Sequence, residues 1–151
     1  MKAPVRTSQS LKETEVVAKE FVDILGPQDT NKKNMSGTVV FLEGDLGAGK
    51  TTFTKSVAKA LGIKQTVISP TFILEKKYPI KNHKYYTKLI HIDAYRFDDP
   101  SESGILDLAT SISDPHNLIF IEWASKLGSK IKPHHCIKFK SLNENTKQIS
   151  W

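Results

Sequence analysis

The stretch that decides the fold runs from Gly37 to Gly62 and reads GTVVFLEGDLGAGKTTFTKSVAKALG. It begins with a short, continuous apolar run, which is typical of a strand buried on both faces of a sheet. Apolar residues then recur at helical spacing at Phe53, Val57 and Leu61. Between them lies a segment rich in glycine with a single lysine. The stretch therefore predicts a strand, a tight loop and a helix.

The glycine-rich loop matches the P-loop pattern G-x-x-x-x-G-K-[ST]. Its three glycines tolerate positive φ, which lets backbone N–H groups turn inward around a polyphosphate. The following helix adds the positive end of its dipole. Lys50 offers a mobile charge to the β- and γ-phosphates, and the Thr51 hydroxyl suits Mg²⁺, a hard ion. The residues predicted to bind nucleotide are Gly44, Asp45, Leu46, Gly47, Ala48, Gly49, Lys50, Thr51 and Thr52.

Two acidic residues follow apolar runs further along the chain. Asp93 comes after LIHI, and Glu122 comes after LIFI. The carboxyl ends of strands in an open α/β sheet are where ligands bind, so both carboxylates are expected near the loop. A P-loop site needs an acid there, which holds Mg²⁺ directly or through water. The two acids could divide two roles, one as metal ligand and one positioning the attacking water, and the residues alone leave that assignment open.

The first helix is predicted over residues 10–25. Ser10 and Glu13 have the spacing of a capping box, and Gly26 precedes a proline that ends the helix. The residues expected on its apolar face are Val17, Phe21, Ile24 and Leu25.

Strands and helices also alternate after the loop. The predictions are a strand, a proline-marked turn and a second strand in 66–80, a strand in 88–97, a short helix in 103–112, a strand in 117–124 and a terminal hairpin in 134–151 that turns near 143–145. This order predicts one α/β domain over residues 1–151. We expect a P-loop NTPase fold, with a mainly parallel central sheet flanked by helices and a C-terminal antiparallel hairpin.

Composition limits the classes of function. The net charge of +6 could indicate an acidic partner such as nucleic acid, but the lysines are scattered along the chain, which favours an ordinary charged surface. No apolar run approaches the roughly 18 residues of a membrane-spanning helix, and no apolar signal-peptide core follows the N-terminus. The single cysteine, Cys136, fits a reducing compartment. We therefore expect a cytoplasmic protein without a membrane partner.

Four motifs in a fixed order resemble those of the TsaE (YjeE) family: the P-loop, SPTF at 69–72, HIDAYR at 91–96 and IEW at 121–123. The resemblance covers the chain from the first helix to about Trp123. It implies a small ATPase that binds ATP and Mg²⁺ and hydrolyses ATP slowly when alone. It also implies a requirement for threonylcarbamoyladenosine next to the tRNA anticodon, with TsaD-like and TsaB-like proteins as partners and tRNA contacted indirectly through the complex.

The same resemblance assigns roles to individual residues. Thr51 and Glu122 would hold Mg²⁺, and Asp93 would serve hydrolysis near the γ-phosphate. Thr71 in SPTF would occupy a switch-like position that senses this phosphate. Thr14 would contact the base side of the nucleotide.

Other positions of the family pattern carry less definite roles. The pattern includes Tyr95, Arg96 and Trp123, for the site or for a partner surface. The chain departs from it at Lys55-Ser56, where relatives often have Arg-Gly, and at Lys147, where they tend to have arginine. A lysine lacks the arginine fork.

Three functions remain in competition on the residues alone. An ATPase would use Lys50, the loop amides and Mg²⁺ to stabilise charge developing on the γ-phosphate, so Lys50 is also a predicted catalytic residue. A small-molecule or nucleoside kinase is the second reading, but Arg6 and Arg96 are the only arginines, too few for the usual phosphate clamps. A GTP-dependent switch is the third reading, but the sequence has no N-K-x-D motif for reading the base.

His91 could orient Asp93, although a hydrogen-bonded core histidine is the favoured interpretation.

Overall fold

The computed structural model describes residues 2–26, 35–70, 74–97 and 107–151. Within these ranges seven strands form one sheet, and three α-helices and a short 3₁₀ helix accompany it. In chain order the elements are β1 (Val5–Ser8), α1 (Leu11–Ile24), β2 (Thr38–Glu43), α2 (Lys50–Ala60), β3 (Glu75–Pro79), β4 (Lys88–Asp93), α3 (Leu108–Ser113), β5 (Asn117–Glu122), the 3₁₀ helix (Ala124–Leu127), β6 (His135–Ser141) and β7 (Lys147–Ser150).

The sheet is mixed, so the prediction of a mainly parallel sheet is wrong. The strand order is β1-β7-β6-β2-β5-β4-β3. The four central strands β6, β2, β5 and β4 are parallel to one another, whereas β1 with β7, β7 with β6, and β3 with β4 are antiparallel. The predicted C-terminal hairpin is confirmed as the β6–β7 pair.

Connection length explains the antiparallel edges. Only residues 80–87 separate β3 from β4, whereas a parallel pair needs a crossover of about a dozen residues or more. At the other edge, the N-terminal strand β1 pairs with β7, with Val5 opposite Ser150. No sequence pattern predicts this strand, because its four residues include no apolar run. In the structure three of the four are exposed.

Two hydrophobic layers cover the two faces of the sheet. On one face, α1 and α2 pack against each other and against the strands, with the rings of Phe21, Phe53 and Phe120 in contact. The other face packs Ile90 and Ile119 against α3 and the 3₁₀ helix. Burying each such side chain contributes about 1.5–3 kcal/mol. The central strands β4 and β5 are therefore buried along nearly their whole length, as their apolar runs predicted.

The first helix begins as predicted, with the Ser10 side chain accepting a hydrogen bond from the Glu13 backbone N–H at 3.2 Å. One member of its predicted apolar face is wrong: Ile24, in the last turn, is 54% exposed. The predicted strand at 66–69 is also wrong, since this segment forms no strand. The Ile68 backbone N–H bonds instead to the Tyr78 hydroxyl at 3.1 Å, which removes a donor that a strand neighbour would use.

The predicted helix in 103–112 is observed only over Leu108–Ser113, and its earlier part lies outside the described residues. Among the described helices, none combines the length and the apolar character that crossing a membrane would require.

Candidate functional site

The loop between β2 and α2 has the backbone that its glycines predicted. Gly44, Gly47 and Gly49 have φ angles of 155°, 77° and 105°, a region that residues with a Cβ rarely adopt. Gly44 also has no room for a side chain, because a Cβ there would lie 2.7 Å from the carbonyl oxygen of Phe139. The loop is thus seated directly on β6.

Lys50 is the first residue of α2 and is only 6% exposed. Its ammonium group donates hydrogen bonds to the backbone carbonyls of Gly44 and, at 2.8 Å, Asp45. It also lies 5.2 Å from the centre of the Trp123 ring. Burial lowers the pKa of Lys50, while the neighbouring carboxylates of Glu122 and Asp93 oppose that shift. The Lys50 ammonium group is therefore held inside the loop by neutral carbonyl acceptors, which an anionic acceptor could replace.

The two predicted acids lie side by side at the ends of β4 and β5. Asp93 and Glu122 are register partners and are 4% and 3% exposed. Asp93 accepts a hydrogen bond from the Tyr95 backbone N–H at 2.9 Å. The Oε1 atom of Glu122 is buried and has no hydrogen-bond partner among the described residues. Two buried carboxylates thus lie beside Lys50 at this edge of the sheet.

A cavity of about 200 Å³, here called the loop pocket, joins these groups. Its lining includes Gly47, Gly49, Lys50, Thr51, Thr52, Ser69, Asp93, Glu122 and Trp123. In the part of the chain that the structure describes, no group of three or more histidine, cysteine or acidic residues could enclose a metal. Magnesium usually keeps several waters and takes one or two protein ligands plus phosphates. The Thr51 hydroxyl and the Glu122 carboxylate have the chemistry for such a partly ligated ion.

A second cavity of about 280 Å³, here called the terminal pocket, lies on the other side of the loop. Both ends of the chain line it, together with three loop or helix residues that it shares with the loop pocket, namely Gly47, Gly49 and Thr52. Thr14 lines this pocket from α1, and its hydroxyl lies 2.7 Å from that of Ser8 and bonds to the Ser10 carbonyl. Thr14 is therefore placed beside the loop and away from the two acids.

Lys147 connects the C-terminal hairpin to the loop. Its ammonium group donates to the Gly47 carbonyl oxygen at 3.1 Å and to the Ser141 hydroxyl at 2.8 Å. It also lines the terminal pocket beside Asn145. The hairpin thus brings a second lysine to the loop, 100 residues away in sequence from the carbonyl it binds.

Trp123 lines the loop pocket directly after β5. Trp123 has a left-handed backbone, with a φ of 56°, and its ring contacts that of Tyr95 at a centroid separation of 5.1 Å. A bulky residue rarely adopts this conformation, because it costs on the order of 1–3 kcal/mol. The few residues that do adopt it cluster at functional sites. Arg96 lies in the turn after β4 and is not among the residues that line the pocket.

The predicted site residues do not all meet in one cavity: Gly47, Gly49 and Thr52 line both pockets, and Gly44 and Asp45 line neither. Lys50, Thr51, Asp93 and Glu122 meet in the loop pocket, whereas Thr14 lines the terminal pocket. Thr71 lies outside the described residues. Sequence reasoning missed the part played by the polar residues Ser8, Gln9, Ser10 and Asn145, which line the terminal pocket. No local pattern could have identified them, because long-range pairing of β1 with β7 brings them together.

The chain matches the family model described as "Threonylcarbamoyl adenosine biosynthesis protein TsaE" over residues 8–149. A Bacillus subtilis relative named "tRNA threonylcarbamoyladenosine biosynthesis protein TsaE" is 37% identical over 116 residues, which are 76% of this chain and 69% of the relative. A Rickettsia typhi relative with the same name is 36% identical over 148 residues, which are 97% of this chain and 92% of the relative.

A solved structure is also similar. The crystal structure of YdiB from Bacillus subtilis superposes with a TM-score of 0.71 at 29% sequence identity, over 99% of this chain and 84% of that one. The α/β architecture with its mixed sheet is thus shared with this structure over nearly the full length.

Proposed function

Because this chain belongs to the TsaE family, we propose that it acts in tRNA threonylcarbamoyladenosine biosynthesis as a subunit that binds and slowly hydrolyses ATP with Mg²⁺. The family membership supports the pathway. The chemistry of the residues that line the loop pocket supports the finer proposal, a P-loop ATPase.

One observation carries the proposal: a loop with three left-handed glycines and a buried lysine faces two buried carboxylates across a single pocket. The loop amides and the N-terminus of α2 attract a polyphosphate. The carboxylates favour a hard divalent cation beside it. A nucleoside triphosphate with Mg²⁺ meets both requirements at once.

Lys50 supplies charge to the transferred phosphoryl group. It now donates to the Gly44 and Asp45 carbonyls, which are neutral acceptors. Phosphate oxygens are stronger acceptors, since charge-assisted hydrogen bonds are about twice as strong as neutral ones. Lys50 therefore turns from the loop carbonyls to the β- and γ-phosphates, where it stabilises the charge that develops in the transition state.

The two acids divide the remaining work. Thr51 and Glu122 would hold Mg²⁺, which would supply Lewis-acid stabilisation of the charge that develops on the transferred phosphoryl group. Asp93 is kept in place by the Tyr95 backbone N–H and orients the attacking water. The family resemblance alone proposes Thr71 as a residue that senses the γ-phosphate. Among the described residues that line the loop pocket, Lys50 is the only cation, so we expect slow turnover by the isolated protein.

The terminal pocket would hold the nucleoside. It shares Gly47, Gly49 and Thr52 with the loop pocket, so a nucleotide whose phosphates lie on the loop extends naturally into it. Thr14 and Lys147 then lie beside the base and sugar. TsaD-like and TsaB-like proteins are the proposed partners, with tRNA reached through their complex.

Titration calorimetry of the purified chain with ATP, GTP and AMP, each with Mg²⁺ and with EDTA, tests the proposal. We expect ATP to bind with Mg²⁺ and Lys50→Ala to weaken that binding on the order of 100-fold. Equal binding of ATP by wild type and Lys50→Ala would overturn the loop assignment. Rapid transfer of phosphate to an added nucleoside or sugar would favour the kinase reading instead.

A further inference from the structure

The buried histidine of β4 is not the hydrogen-bonded core residue that its sequence context favoured. His91 is completely buried, and neither ring nitrogen has a hydrogen-bond partner among the described residues. Buried polar groups in folded proteins are nearly always hydrogen-bonded, because an unpaired one loses its interaction with water and gains nothing in return. An unpaired imidazole that is completely buried on β4 therefore requires an explanation.

A second unpaired atom faces it. The Nε2 atom of His91 lies 3.6 Å from the Oε1 atom of Glu122, and this oxygen is likewise buried without a hydrogen-bond partner in the described ranges. The separation is just beyond hydrogen-bond length. The two groups can form a hydrogen bond with each other, since an imidazole N–H donates and a carboxylate oxygen accepts.

Strand geometry makes this contact a property of the fold. His91 lies two residues before Asp93 on β4 and therefore points to the same face of the sheet. Glu122 on β5 is the register partner of Asp93, so its side chain lies diagonally above that of His91. His91 is not among the residues that line the loop pocket, which means that it reaches the pocket only through Glu122.

We propose that His91 is a positioning residue that donates a hydrogen bond from Nε2 to Oε1 of Glu122 and so presents the other carboxylate oxygen, Oε2, to the metal in the loop pocket. This inference rests on the proposed function, in which Glu122 is a metal ligand. Hydrogen bonds from behind a ligating carboxylate fix its orientation. Such bonds are often long in an unloaded site and shorten when the complex forms.

Three variants test the proposal through metal affinity instead of turnover. His91→Leu removes the donor, His91→Gln retains an N–H at similar reach, and Tyr86→Phe is the control for lost stability. Tyr86 is also fully buried, but its hydroxyl bonds to Thr38 at 2.8 Å and to the Gly26 carbonyl, away from the acids. The measurements are Mn²⁺ affinity by electron paramagnetic resonance with the non-hydrolysable analogue AMP-PNP bound, and AMP-PNP affinity in EDTA.

We expect His91→Leu to weaken Mn²⁺ binding about tenfold, the usual cost of losing such a partner, while metal-free affinity for AMP-PNP stays within about twofold. His91→Gln should restore most of the Mn²⁺ affinity, and Tyr86→Phe should leave it unchanged. Unchanged Mn²⁺ affinity in His91→Leu, or an equal loss of metal-dependent and metal-free binding, overturns the proposal. A wild-type chain that binds no AMP-PNP defeats the proposed function, and this inference falls with it.

A measurement on the wild-type protein keeps the test decisive if His91→Leu fails to fold. Nitrogen-15 NMR of the histidine side chains reports which ring nitrogen carries the proton, and His91→Gln assigns the signal. We expect the Nε2–H tautomer, with its proton shifting downfield when Mg²⁺ and AMP-PNP are added. An Nδ1–H tautomer, or no response to Mg²⁺ beyond that to AMP-PNP alone, contradicts the proposal.

Discussion

The loop pocket and the terminal pocket share one glycine-rich loop, but the lysines that line them come from different elements and differ in exposure. Each brings a lysine to the loop's carbonyl groups. Lys50 comes from the loop's own helix, is 6% exposed and binds the Gly44 and Asp45 carbonyls. Lys147 comes from the C-terminal hairpin, is partly exposed and binds the Gly47 carbonyl.

The different burial of the two lysines predicts that they contribute unequally to the free energy of ATP binding. The Lys50 ammonium is desolvated beside two buried carboxylates, where electrostatic interactions are strong because water is excluded. The Lys147 ammonium remains in contact with solvent, which screens its charge. We therefore expect the loop pocket to supply most of the affinity and all of the chemistry, and the terminal pocket to adjust orientation and base preference.

The largest expected effect belongs to Asp93 and concerns rate alone. Asp93→Asn keeps an acceptor for the Tyr95 N–H but removes the charge that orients water, so hydrolysis should fall about 10²–10⁴-fold. Nucleotide affinity should stay within a few-fold of wild type. Phosphate release and calorimetry measure the two quantities, and a parallel loss of both would show that the acids have been assigned to the wrong roles.

Lys50→Ala should weaken ATP binding on the order of 100-fold, because each hydrogen bond to a charged group contributes about 1.5–3 kcal/mol. Lys64→Ala is a matched control, since Lys64 is an exposed lysine just after the same helix. Calorimetric titration with ATP and Mg²⁺ measures both affinities. If the two substitutions weakened binding alike, the lysines would act only through net charge.

Glu122→Gln should reduce the gain in ATP affinity that Mg²⁺ produces by about tenfold, the lower range for a charge-assisted contact. Binding in EDTA should change little, or should even strengthen, because a buried negative charge near the phosphates is removed. Paired titrations with Mg²⁺ and EDTA give the ratio directly. A Mg²⁺ gain equal to that of wild type would exclude Glu122 as a ligand.

Lys147→Ala should weaken ATP binding by only about threefold, since its contacts are partly exposed and worth about 1 kcal/mol or less. The difference from wild type should shrink at high salt, where exposed charges are screened. Lys140→Ala provides an exposed lysine on the same hairpin as control. A loss as large as that of Lys50→Ala would erase the distinction between the two pockets.

The smallest effect is expected at Cys136, on the strand that seats the loop. Burial and the nearby Glu43 carboxylate raise the pKa of its thiol from 9.0 to about 11. The folded chain keeps this proton above pH 9 while the unfolded chain releases it, so the group's contribution to stability falls as pH rises towards 11. Disulfide-exchange labelling at pH 8 should be slow until urea is added, and Cys136→Ser should leave ATP affinity unchanged. Fast labelling of the folded protein would contradict the raised pKa of this half-buried thiol.

Sequence reasoning succeeded wherever a feature is local. The backbone angles of Gly44, Gly47 and Gly49 follow from the absence of a Cβ, and the cap of α1 follows from Ser10. It failed where a residue's environment depends on distant chain. Ile24 continues an apolar pattern but is exposed, although Leu25 directly after it is buried in the core.

His91 shows the limit inside the site. Its position beside Asp93 was evident from strand alternation, yet its missing hydrogen bonds could not be read from the sequence. Whether a buried imidazole finds a partner depends on which side chains three neighbouring strands bring around it. Only the register of β4 against β5 placed Glu122 diagonally across from His91.

The sequence by itself determined the glycine-rich loop, the lysine it contains and the two acids that end buried strands, because sterics and hydrophobic periodicity act between near neighbours in the chain. The tertiary structure alone decided the mixed sheet, the pairing of residues 5–8 with 147–150 and thus the whole terminal pocket. Closing so long a span costs chain entropy that no local segment can repay, so its outcome depends on the free energy of the complete core.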